Sequence, residues 1–196
     1  MGTADLLHER FNKRSSQIPP VRVKGFTRGR LAKLFGEMGF VKGAEIGVAG
    51  GRYSLTLCQH VPGLKLTCVD PWARYPGNPR AHRTEKQERC YQEARTRLSP
   101  YGAHIVRAKS MEYVNEVEDR SLDFVYIDGN HCFDFVMQDL IEWGKKVRRG
   151  GIISGHDYYR FRWAGVVDAV DVYVRAHQVQ EWFLTDEREP SFFWAV

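Results

Sequence analysis

The chain has 196 residues, 43% of them hydrophobic, with 29 lysines and arginines against 24 acids. That length predicts one domain with a core large enough to fold without disulfides or metal. The composition excludes a disordered, collagen-like or membrane-spanning chain, and the net charge of +5 is not gathered in a tail, so it admits an anionic partner without requiring one.

In chain order, residues 1–24 read as an N-terminal appendage and 25–196 as a single domain. Short Val- and Ile-rich runs predict buried strands at Gly43–Val48, Lys65–Val69, His104–Arg107, Leu122–Ile127 and Gly151–Ser154. Longer amphipathic runs predict helices at Phe26–Met38, Tyr53–His60, Thr84–Leu98, Met111–Val117, Phe133–Val147 and Arg162–His177. Strand alternating with helix is the pattern of a parallel sheet with crossover helices. Two more strands, Val179–Leu184 and Ser191–Val196, flank a short polar link, which fits an antiparallel pair and not another crossover. The expected fold is α/β, a doubly wound, mostly parallel seven-stranded sheet with an antiparallel C-terminal strand. The loop Pro71–Pro79 carries too many prolines for a helix or central strand.

Cys58, Cys68, Cys90 and Cys132 show neither CxxC nor zinc spacing and read as reduced thiols. The first residues lack the apolar core of a signal peptide. Together these features predict a cytoplasmic protein with no membrane association.

The strongest motif is Glu45-Ile46-Gly47-Val48-Ala49-Gly50-Gly51-Arg52-Tyr53-Ser54, where the first predicted strand turns into a helix. Glycine there permits a tight turn and close approach of a ligand. The second strand ends in Asp70, about twenty residues on, the place of an acid that accepts hydrogen bonds from ribose hydroxyls. The glycine spacing is neither GxGxxG nor a P-loop. A nucleoside site is the favoured reading, and a glycine turn that binds nothing is the alternative.

A second group lies on the ends of the fourth and fifth strands. Asp128 closes one and Asp157 follows the other, with His131 and His156 beside them. Two carboxylates on one rim suit a hard divalent cation such as magnesium, which lowers the pKa of a bound hydroxyl. His131 as a metal-free general base is the other use of the same residues. An isolated histidine at a helix start more often bonds only the backbone.

Four segments in this order, Glu-Ile-Gly-Val-x-x-Gly-Arg-Tyr-Ser, Val-Asp-Pro-Trp, Tyr126-Ile127-Asp128-Gly129-Asn130-His131 and Gly150-Gly151-Ile152-Ile153-Ser154-Gly155-His156-Asp157-Tyr158, resemble the class I S-adenosylmethionine-dependent methyltransferases. Within them the likeness is to the small-molecule O-methyltransferase group that includes macrocin-type sugar enzymes and is related in layout to catechol O-methyltransferase. The resemblance implies a Rossmann-like methyltransferase fold, S-adenosylmethionine as cofactor and a small hydroxylated acceptor, with a divalent cation as an open addition; the alternatives are a methyltransferase of RNA or another macromolecule and a non-catalytic nucleoside-binding protein of the same fold. It implies that Glu45 orients the turn or approaches the methionine end, and that Gly47 and Gly51 line methionine and ribose, with Ser54 close by. Asp70 would hold the ribose hydroxyls, Pro71 and Trp72 would flank the adenosine, and Ser110 and Met111 would lie against adenine. Asp128 would serve cofactor and catalysis, His131 would be catalytic, and Asp128 and Asp157 would be the metal ligands. The catechol pattern has asparagine after the second acid. Here that residue is Tyr158, which leaves the third ligand open between His131, His156 and water.

The basic run Lys145–Arg149 reads as charge at a helix C-terminus and not as a nucleic-acid surface. Tyr158, Tyr159, Phe161 and Trp163 read as a pocket lining or as core. Arg80 and Arg83, in the segment Tyr75–Arg83, read as part of a lid or as a solvated face. A homo-oligomer is compatible with all of this.

Overall fold

The structure is a computed structural model that describes residues 2–11, 18–73, 84–161 and 163–196. Its strands are β1 (Val21–Arg22), β2 (Lys42–Ile46), β3 (Lys65–Val69), β4 (His104–Val106), β5 (Leu122–Ile127), β6 (Val147–Gly155), β7 (Phe183–Leu184) and β8 (Phe192–Ala195). Its α-helices are α1 (Thr3–Phe11), α2 (Arg28–Glu37), α3 (Arg52–His60), α4 (Thr84–Leu98), α5 (Ser110–Tyr113), α6 (Phe133–Lys146) and α7 (Val166–Ala176). One sheet runs β1-β7-β8-β6-β5-β2-β3-β4. Every neighbouring pair is parallel except the two that β8 makes with β6 and β7.

The central strands are buried along almost their whole length, β5 at all six positions, as expected of strands covered on both faces. Alternation then divides the core. Phe124 and Tyr126 of β5 face a layer with Leu31, Phe35 and Leu57, while Val125 and Ile127 face Leu140, Trp143 and Val170. Helices α2 and α3 therefore cover one face, and α6 and α7 the other.

The expected seven-stranded sheet has eight strands here. Val21–Arg22 pairs with Phe183–Leu184, and the amides of Val21 and Val23 donate to the carbonyls of Trp182 and Leu184 at 3.0 and 2.9 Å. Two residues are too few to show period-two alternation, so the sequence carries no sign of this strand. In the segment before it, Leu7 of α1 is buried, and the Phe11 ring lies 4.9 Å from Phe26 and 5.6 Å from Phe183. The predicted helix at Met111–Val117 is a single turn, α5, followed by a 3-10 turn at Val114–Glu116.

The basic run straddles two elements, because α6 ends at Lys146 and β6 begins at Val147. Three of its four charges are paired: Lys145 with Glu142 at 2.7 Å, Lys146 with Asp119 at 2.6 Å and Arg148 with Asp123 at 2.7 Å. The four cysteines are free thiols. Among the described residues no helix is long and apolar enough to cross a membrane.

From the central pair β2 and β5, the order steps outward to β3 and β4 on one side and to β6 on the other. Ligands of open α/β sheets bind outside the carboxyl ends of the strands at such a reversal. Gly47 and Asp128 stand there.

Candidate active site

At the reversal, the Asp128 amide donates to the Ile46 carbonyl at 2.7 Å and the Gly47 amide to the Val69 carbonyl at 2.9 Å. Gly47 has φ +89°, and a Cβ on it would sit 2.1 Å from the Asp128 carbonyl oxygen. The glycine is thus required by the closeness of the β5 end as well as by the turn. Gly51, at φ +71°, is the N-cap of α3 and packs against Ala94 and Leu98 of α4. Changing Gly47 to alanine should destabilise the fold by about 1–3 kcal/mol from backbone strain alone, and by more once the carbonyl is displaced. Thermal unfolding of Gly47→Ala beside the unmodified chain measures it.

Asp70 is the clasp of this region. One carboxylate oxygen accepts from the Val48 and Ala49 amides, both at 2.9 Å, and the other from the Trp72 amide at 2.7 Å. Ala49 and Trp72 both have left-handed backbones, φ 47° and 41°, a conformation non-glycine residues hold only when surroundings enforce it. The Trp72 indole N–H closes the loop by donating to the Ala49 carbonyl at 2.8 Å. Trp72 is buried, with its ring 4.9 Å from Tyr91, and Pro71 beside it is half-buried. Burial raises the Asp70 pKa against the pull of its three backbone donors.

Glu45 and Ser54 are both buried, and the Ser54 hydroxyl donates to the Glu45 carboxyl. Burial pushes the Glu45 pKa up to about 8, so the group holds its proton at neutral pH. Ser110, opening α5, donates to Asp139 of α6 and accepts from the Trp143 indole N–H at 2.7 Å. Asp139 is buried, which raises its pKa to about 7. Met111 is half-buried against the α6 side of the core.

On the other side of the reversal, Asp128, His131, His156 and Asp157 form an alternating cluster. His131 Nε2 lies 3.1 Å from Asp157 and 3.6 Å from Asp128. His156 Nδ1 lies 3.1 Å from Asp157 and 3.8 Å from Asp128. The side chains of Asp128 and His131 keep 23% and 25% of their exposure, against 11% for Asp157, so the first two face the crevice and the third backs them. Asp157 has φ 59°, and the β6 strand ends just before it. Burial works against protonation of His131, but Asp128 and Asp157 outweigh it and raise the pKa. His156 is raised against burial in the same way, chiefly by Asp157. Asp157 is lowered: burial opposes this, and both histidines overcome it. One ligand atom each from Asp128, His131 and Asp157 lies within 4.8 Å of the others, a spacing a single cation can bridge.

Beside the cluster stands an aromatic wall. The Trp163 ring is stacked 6.3 Å from His131, and Phe161 lies 6.5 Å from His131 and 4.8 Å from Tyr159. Tyr158 turns away, its hydroxyl donating to Asp171 at 2.7 Å and its ring packed on Trp182. Three of the four aromatics thus flank the site and one braces α7.

Two residues here, Arg28 and Asp139, carry no sequence signal, and Tyr126 is legible only as part of the motif that ends in His131. Arg28 places its guanidinium 5.5 Å over the Tyr53 ring, Tyr126 packs 4.1 Å from Tyr53, and Asp139 sits under Ser110. Arg28 is one of 29 basic residues, and only the fold brings it to the crevice. The segment Tyr75–Arg83, read as a lid or a solvated face, lies outside the described residues. A separate cavity of about 520 Å³ opens at the opposite ends of β2, β3 and β4, lined by Lys42, Cys58, Lys65, Tyr101 and His104 among others, and shares no residue with this site.

A family model described as a methyltransferase domain matches residues 44–158, from the glycine turn to the residue after Asp157. No curated protein matches the chain. Among solved structures it is similar to the O-methyltransferase from Bacillus cereus in complex with SAH, at 14% identity and TM-score 0.64, covering 99% of this chain and 90% of that one. It is similar to cofactor-bound Rv0187 from MTB, at 15% identity and TM-score 0.63, covering 98% and 89%. It is also similar to the O-methyltransferase TomG from Streptomyces achromogenes, involved in tomaymycin synthesis and solved with SAM, at 14% identity and TM-score 0.60, covering 99% and 87%. The structural likeness establishes the fold, and the family match over more than half of the chain establishes that this protein belongs to the methyltransferase domain family.

Proposed function

We propose that the chain transfers the methyl group of S-adenosylmethionine to a hydroxyl of a small molecule, with His131 taking the hydroxyl proton. The observation that carries this reading is the juxtaposition at one strand reversal of the Asp70 clasp with the cluster of Asp128, His131, His156 and Asp157. In this reading the Asp70 end holds the ribose, Ser110 and Met111 lie toward adenine, and Glu45, Gly47, Gly51 and Ser54 surround the methionine end. The neighbours solved with SAM and SAH support the cofactor.

The methyl group leaves an activated sulfonium, so the protein's share is proximity, alignment and removal of one proton. The acceptor oxygen forms the new bond to carbon, the carbon–sulfur bond breaks, and the hydroxyl proton passes to His131. Asp128 and Asp157 hold that imidazole and stabilise it once charged. Tyr159, Phe161 and Trp163 offer flat apolar surface to an aromatic or sugar ring.

The acids also fit a divalent cation. Asp128 and Asp157 would hold it, and when bound it would supply Lewis-acid polarisation of the acceptor hydroxyl. With imidazole as a third donor, the set suits manganese or zinc better than magnesium, which prefers oxygen. His131 cannot ligate such an ion through Nε2 and take a proton there at the same time. Methyl transfer from labelled S-adenosylmethionine to phenolic, catecholic and sugar hydroxyls, with and without chelator, tests both parts. Transfer to one of these classes is expected. Transfer that survives the chelator assigns the proton to His131 without metal, and a complete absence of transfer to every hydroxyl class contradicts the proposed acceptor chemistry.

A further inference from the structure

We infer that Arg28 binds the carboxylate at the aminocarboxylate end of the methyl donor, an inference that rests on the cofactor reading above. Arg28 opens α2, and its carbonyl accepts the Tyr53 hydroxyl at 3.2 Å while its guanidinium lies over the Tyr53 ring. Tyr53 directly precedes Ser54 in the first turn of α3. Tyr126, packed on Tyr53, is the register partner of Glu45 across β2 and β5. Arg28 thus stands over the strand ends where the glycine turn begins, on the methionine side and not the adenine side.

The charge around it is incomplete. Among the described residues no carboxylate lies within salt-bridge distance of the Arg28 guanidinium. Glu187 engages its main-chain amide instead, at 2.7 Å. Asp128 exerts its attraction from farther off. Burial works against the charge, but Tyr126, Asp128 and Glu187 outweigh it and keep the guanidinium charged, so a half-buried cation with no carboxylate in direct contact faces the crevice, where a bound anion would complete it. A zwitterionic aminocarboxylate needs a cation for one end and an acid for the other, and Arg28 and Asp128 supply these on one crevice. The planar fork of arginine suits a carboxylate in particular, since two parallel N–H groups can meet both oxygens. The Ser54 hydroxyl is already committed to Glu45, and Arg28, whose guanidinium meets the Tyr126 hydroxyl, still has further N–H groups for a bound carboxylate.

The test titrates the unmodified chain, Arg28→Gln and Arg28→Lys with S-adenosylhomocysteine and with 5′-methylthioadenosine, which keeps the adenosine and thioether but lacks the aminocarboxylate. Thermal unfolding of each variant confirms that it is folded. Arg28→Gln should weaken S-adenosylhomocysteine about 10–100-fold, the range of a lost charge-assisted hydrogen bond, and leave 5′-methylthioadenosine unchanged. Arg28→Lys, with the charge but not the fork, should recover part of the loss. Unchanged S-adenosylhomocysteine affinity in Arg28→Gln overturns the inference and leaves an anionic acceptor as the partner to examine. Equal loss of both ligands also overturns it, because the effect would then lie in the shape of the site. If the unmodified chain binds neither ligand, the cofactor reading fails first.

Discussion

Replacing His131 with alanine should lower methyl transfer about 10²–10⁴-fold, the usual contribution of a positioned general base, while leaving S-adenosylhomocysteine binding intact. The separation follows from geometry. His131 lies among Asp128, Asp157 and the aromatic wall, and none of the Asp70 clasp passes through it. The pH profile carries the same claim with a definite sign. A base acts only when neutral, and the carboxylates raise the His131 pKa above 6.5 against the effect of burial. Activity should therefore rise with pH, with an inflection above the ordinary imidazole range. Removing a carboxylate by Asp157→Asn should move that inflection down. The stability of the fold runs the other way. A histidine raised in the folded state adds stability that is fully present below pH 6.5 and is lost as pH rises through its folded value. A rate profile that keeps its inflection in His131→Ala would assign the titration to another group.

Asp70→Ala should abolish measurable S-adenosylhomocysteine binding, a loss of at least about 100-fold if two charge-assisted hydrogen bonds to ribose go together. It should also lower the melting temperature. The carboxylate is the acceptor for three amides, and two of those belong to residues held in left-handed conformations. Those amides would be left without a partner and the turn would relax. Calorimetric titration and thermal unfolding of the same variant separate the two effects. A lower melting temperature with affinity retained would reduce Asp70 to a structural clasp and remove it from the ribose site.

Asp70 shows where sequence reasoning reaches and where it stops. An acid after the second strand is legible from its spacing to the glycine turn. That its oxygens also fasten Ala49 and Trp72 depends on two unusual backbone conformations, which residue types do not announce. Gly47 is similar. The motif suggests room for a ligand, and the fold adds the Asp128 carbonyl as a second occupant of the same space. Asp128 and Asp157 are legible as strand-end acids. Their pairing with both histidines needs the register of β5 against β6, which places Ile127 beside Gly155.

Other features were hidden for plain reasons. Strand β1 has two residues and no period. Arg28 precedes the recognisable motifs and reaches the site only because α2 packs beside α3. Asp139 occupies a polar position in the amphipathic α6 and would ordinarily face water, yet Ser110 and Trp143 enclose it. The parallel core was the easiest part to read, since buried strands are near-continuous apolar runs.

The most direct test of the account is calorimetric titration of the unmodified chain with S-adenosylhomocysteine, with and without a divalent cation. The site described here predicts one binding site per chain with micromolar affinity, present in both conditions because Asp70 and the glycine turn are not metal ligands. Absence of binding in both would contradict the cofactor assignment and leave the methyltransferase fold without its donor site.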